Sequence, residues 1–108
     1  MGQRTLGGAD LSRLRRRYRH LIDTALPRAA RERGDWPVCH DHCFARIVLD
    51  DVFGGAWYDH VDGRPAYEQL PPSRLRAAIA TAERLLEEGA PLVEELNRNS
   101  LDWRREDP

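Results

Sequence analysis

The chain has no lysine: all 17 of its basic residues are arginine. This is the pattern of GC-rich coding and says little about chemistry. Sulfur is scarce, with two cysteines and one methionine, so there is neither a disulfide framework nor a second paired-ligand run of the kind that marks a zinc finger. No apolar run approaches the roughly 18 residues that a membrane span needs, so no membrane association is expected. Residues Met1 to Gly8 lack the apolar h-region of a secretory signal, which makes the cytoplasm the expected location, where thiols stay reduced. No stretch alternates with period two for long enough to be a strand, and no internal repeat is present. No glycine-rich GxGxxG or Walker pattern exists to cradle a phosphate.

What is present is one domain's worth of chain. Its 108 residues are 41% hydrophobic and 32% charged, which suits a globular fold and excludes a two-domain enzyme with a separate cofactor domain. The net charge of −1 hides a division. Residues 1–34 carry nine arginines against Asp10, Asp23 and Glu32, whereas residues 35–108 carry eight against fifteen acids. A basic arm on an acidic body can meet an anion or nucleic acid, or pack on its own acidic half.

Hydrophobic spacing predicts helices throughout. Asp10 is a good N-cap for the first, and Leu11, Leu14, Tyr18, Leu21, Ile22 and Ala25 mark one apolar face. Arg13, Arg15, Arg16, Arg17 and Arg19 occupy the other. Pro27 is expected to break or restart this helix, and Gly34 to end the basic stretch after it. The second major helix is expected from Asp35-Trp36-Pro37 to Phe53, stopped by Gly54-Gly55. Val38, Phe44, Ala45, Val48, Leu49, Val52 and Phe53 cover so much of its circumference that protein should surround it. Gly54 to Leu70 reads as a long aromatic loop without structure of its own. A third helix starts near Pro71-Pro72-Ser73 and is capped by Gly89. Pro91 opens the last, with Leu92, Val93, Leu96, Ser100 and Trp103 inward. The expected fold is an all-α, single-domain bundle of four main helices spanning 10–104, with a flexible N-terminus at 1–9 and a tail at 105–108.

Chemistry concentrates in Cys39-His40-Asp41-His42-Cys43. With Cys39 in the first turn of the second helix, Cys39, Cys43, Arg46 and Asp50 fall within about 60° on its surface, flanked by His42. The helix N-terminus and Arg46 would lower a thiol pKa. Cβ atoms four residues apart on a helix are about 5–6 Å from each other, and a disulfide needs about 3.5–4.5 Å. The pair is therefore expected as free thiols, a metal half-site, or a redox pair that must unwind.

Three site readings follow. In the first, Cys39 is a nucleophile with Cys43, His42, Arg46 and Asp50 in support, Asp50 orienting Arg46, and Trp57 and Tyr58 walling the pocket. In the second, Cys39, Cys43, His42 and His60 hold zinc or iron. In the third, Arg46 binds a small anionic ligand. A plainer reading treats both cysteines as small core hydrophobes and Arg46–Asp50 as an ordinary intrahelical ion pair. An interaction module is the alternative function, with Arg13, Arg16 and Arg17 meeting an acidic protein surface or nucleic acid.

The run Pro37-Val38-Cys39, His42-Cys43-Phe44-Ala45-Arg46-Ile47, Asp50, Gly54, Trp57-Tyr58, Pro65-Ala66-Tyr67 and Leu96-Asn97-Arg98-Asn99-Ser100-Leu101-Asp102-Trp103-Arg104 resembles a group of short bacterial proteins. Some of these are labelled GCN5-related acetyltransferases. That label implies a mixed sheet and a pyrophosphate-binding turn. The chain has the pattern of neither, so no acetyl-CoA site is carried over.

Overall fold

The computed structural model describes residues 8–105. The first 26 of these form one unbroken helical rod: α1 (Gly8–His20), a π-helical turn (Leu21–Ala25) and α2 (Leu26–Arg33). Pro27 does not break it. Proline has no N–H to give the ladder, and its ring crowds the carbonyl one turn back. The wider π turn just before it shifts the register, so that the Leu26 N–H bonds the Leu21 carbonyl. Asp10 lies inside the first turn of α1 and is not its cap. Of the expected flexible N-terminus, residues 1–7 lie outside the described residues. Gly34, with φ at 77°, ends α2, a left-handed position that favours glycine.

The next helix, α3 (Asp41–Phe53), starts later than its sequence predicts. His40 is extended (φ −100°, ψ 152°) and stands at the N-cap, so Trp36 to Cys39 cross the bundle as non-helical chain. After Gly54 the chain makes two 3-10 turns, Trp57–Asp59 and Ala66–Gln69, where no structure is expected from the sequence. Then come α4 (Pro72–Glu88) and α5 (Ala90–Arg105), joined at Gly89. Arg105, expected in the tail, still belongs to α5, and residues 106–108 lie outside the described ones. The architecture is an all-α bundle of four main helices, counting the rod as one. Among the described residues no helix is long and apolar enough to cross a membrane.

Helix α3 is the hub. It packs on the π turn, α2, α4, α5 and the Trp57 turn, while α1 packs mainly on α4. Leu26, Phe44, Ile47, Val48, Leu75, Leu85 and Val93 are sealed from solvent, and the apolar stripes of all the helices meet in one cluster. Thr81 on α4 donates to Asp51 on α3 at 3.0 Å, pinning the polar edge of that contact.

Tyr18 belongs to this core and stacks on Tyr67 with ring centroids 5.5 Å apart. Burial raises its phenol well above the ordinary value, and Asp23 and Tyr67 add to the rise. The neutral phenol is therefore the folded form. Its contribution to stability is whole below the unfolded pKa of about 10 and is lost as pH climbs past it, because only the unfolded chain readily ionises. Urea midpoints measured from about pH 9 to about pH 11 should fall more steeply for the wild type than for Tyr18→Phe. Parallel curves would mean that this phenol ionises freely in the folded state.

Candidate anion-binding site

An aspartate in the middle of an apolar helix has to find donors. Asp50 is the one fully buried carboxylate among the described residues, 0% exposed. Its Oδ2 accepts from Ser100 Oγ at 2.6 Å and Arg104 Nε at 2.8 Å. Its Oδ1 accepts from the Trp57 backbone N–H at 2.9 Å and Arg104 Nη2 at 3.2 Å. Four donors from α5 and the loop thus satisfy one carboxylate, as a buried charge requires. Hydrogen bonding to Asp50 raises the Arg104 guanidinium above its ordinary range, against partial burial that lowers it. Arg104 also lies over the Tyr58 ring, 5.0 Å from its centroid.

Arg46 does not pair with Asp50 along α3. Its guanidinium crosses to α5, where Nη1 donates to Ser100 Oγ and Nη2 to Asn97 Oδ1, both at 2.8 Å. The Ser100 hydroxyl gives its single proton to Asp50 and presents a lone pair to Arg46. Asp50 therefore orients Arg46 through a serine rather than directly. Both partners of Arg46 are neutral, and among the described residues no carboxylate lies within ion-pairing distance of it.

Arg46 and Arg104 line an open groove of about 890 Å³. The rod supplies Tyr18, Arg19, Ile22 and Asp23, and α3 supplies Asp41, His42, Ala45, Arg46 and Leu49. The loop adds Trp57 and Arg64 to Tyr67, and α5 adds Arg104. Four guanidiniums face two lining carboxylates there, Asp23 and Asp41. Arg19 is tied to Asp23 at 3.1 Å and Arg104 to Asp50 at 2.8 Å. Arg46 and Arg64 keep their charge for the groove, the latter resting over the Trp57 ring at 5.3 Å.

The residues singled out in the sequence divide. Arg46, His42 and Trp57 line the groove, and Asp50 lies behind it. Tyr58 supports Arg104 and is 42% exposed, so it braces the wall from outside. Neither cysteine lines the groove. Both are free. Cys39 precedes α3 and so has no place in its first turn or in a helical stripe. It packs against the core cluster as a partly buried side chain, with its Sγ 3.5 Å from His40 Nδ1. His40, rather than His42 or His60, is thus the imidazole beside a thiol. His60 stacks on Phe53 at 5.1 Å. Among the described residues no group of three or more His, Cys, Asp or Glu side chains is arranged to hold a metal ion.

The arginine face of α1 is divided too. Arg17 pairs with Glu83 of α4 at 2.9 Å, and Arg15 donates to the Glu68 carbonyl at 2.8 Å. Asn97 and Ser100, which hold Arg46 without lining the groove, and Arg104, which lines it, are not legible in the sequence as a set. The available signal was a serine inside the apolar stripe of α5 and an aspartate inside that of α3: each is a polar group that must be partnered once buried.

No family model matches the chain, and neither the curated proteins nor the solved structures yield a match.

Proposed function

We propose that the protein binds a small anionic ligand in the groove between the rod, α3 and α5, with Arg46 as the principal cation. One observation carries this reading: a guanidinium held in place by two neutral acceptors, with its charge uncompensated, in the lining of a groove. A planar guanidinium fixed in this way suits carboxylate and phosphate groups. Trp57 and Tyr67 add apolar wall, which favours an anion attached to a planar or apolar body.

Calorimetric titration with phenyl phosphate and with inorganic phosphate tests this. Phenyl phosphate is expected to bind the more tightly. Arg46→Gln should weaken it by about 10- to 100-fold, since a hydrogen bond to a charged group contributes about 1.5–3 kcal/mol. Cys39→Ser combined with Cys43→Ser should leave the affinity unchanged. Equal affinity for wild type and a folded Arg46→Gln would sink the proposal. Loss of binding in the cysteine variant would return the site to the thiols.

A further inference from the structure

The groove does not end at Arg19. A second recess, of about 610 Å³, lies on its far side, lined by Arg15, Arg16, His20 and Thr24 of the rod. The two share one wall, formed by Arg19, Asp23 and Tyr67. Together they make a continuous track of six guanidiniums, from Arg16 at one end to Arg46 and Arg64 at the other, against only Asp23 and Asp41 as lining carboxylates.

We propose that this track binds single-stranded nucleic acid, with the phosphate backbone following the arginines and bases stacking at Trp57 and Tyr67. The Arg46 end is the anion site proposed above, and the inference rests on that reading only there. A cationic groove with aromatic side chains set along it is how single strands are held without sequence readout. The cations lie in recesses between packed elements. Arg64 is parked on the Trp57 ring and Arg19 over the Tyr67 ring, at 5.3 and 5.7 Å. A base arriving at Trp57 takes the place of Arg64 and releases its guanidinium to the adjacent phosphate.

The test is fluorescence anisotropy of a labelled oligothymidylate of about twelve nucleotides, longer than a minimal single-strand site, titrated across a salt series. Three phosphate contacts predict a log–log salt slope of about −2. Arg16→Gln and Arg64→Gln mark the two ends of the track. Both residues are exposed and lack an ion pair among the described residues, so neither change threatens the fold. Each should weaken binding about fivefold at about 0.1 M salt and make the slope shallower by about 0.7. Arg13→Gln and Arg17→Gln lie outside both recesses and should change nothing. The proposal is overturned if those two variants weaken binding as much as the track variants, or if a duplex of the same length binds as tightly. It is also overturned if the wild type binds phenyl phosphate but not the oligonucleotide, a result that leaves the small-anion reading standing. Oligonucleotide binding with the expected variants, but no response to phenyl phosphate, supports the track and sinks the smaller reading.

Discussion

Asp50→Ala is expected to lower the unfolding free energy by about 3–5 kcal/mol, measured by urea denaturation. The carboxylate is buried and accepts from Ser100, Trp57 and Arg104. Alanine leaves a partly buried guanidinium without its counter-charge and a fully buried hydroxyl without its acceptor. Stranding these groups is far more damaging than removing an exposed ion pair, which contributes about 0–1 kcal/mol. The comparison that isolates this effect is Asp50→Leu with Arg104→Met. Removing both charged partners should recover a large part of the loss. The loop should also loosen, because the Trp57 N–H loses its anchor. Hydrogen exchange in residues 56–60 then rises in Asp50→Ala, and phenyl phosphate affinity falls with it. A loss below about 1 kcal/mol would mean that water takes over the role of the carboxylate.

Phe44→Ala should cost about 3–5 kcal/mol. The ring is 0% exposed at the start of the hub helix and meets the Trp36 ring edge-on with centroids 5.8 Å apart. Its removal opens a cavity where the rod, α3 and the chain before α3 converge. It also takes away packing against the non-helical Trp36–Cys39 segment. Reaction of Cys39 with a thiol reagent should therefore accelerate in Phe44→Ala, with Cys43 as the internal comparison. Unchanged stability would require the neighbouring helices to collapse fully into the space, which core helices pinned on several sides seldom do.

Each error of the sequence reading has a local cause. Pro27 reads as breaking or restarting the first helix; an α-helix does restart at Leu26 with Pro27 in its first turn, but without a break. The rod continues because a π turn shifts the ladder by one residue, and nothing in the spacing of Leu21, Ile22 and Ala25 announces that. Trp36-Pro37 looked like a helix start, since proline suits the first turn. The chain instead stays non-helical as far as His40, with Trp36 packed on Phe44, and this keeps Cys39 off the helix. The reactive-thiol stripe depended on that one placement. Arg46 and Asp50 share a helix face at the right spacing for an ion pair, yet each finds partners on α5, 50 to 54 positions away in sequence. Short-range rules describe an isolated helix, and a hub helix is not isolated.

What the sequence determined alone was the fold class. The 3.6-residue recurrence of Leu, Ile and Val, the glycines at 34, 54 and 89, and the want of period-two alternation already specify four main helical segments and where three of them stop, because those signals act within a few residues. It also singled out Arg46, His42 and Trp57, which the fold places along one groove. Only the tertiary structure decided that Asp50 is buried and answered by Ser100 and Arg104, that Arg46 keeps its charge, and that the cysteines stand apart from the groove. The reason is physical: burial and charge pairing are properties of surfaces brought together from distant parts of the chain, and a pattern read within one helix carries no information about what the neighbouring helix presents to it.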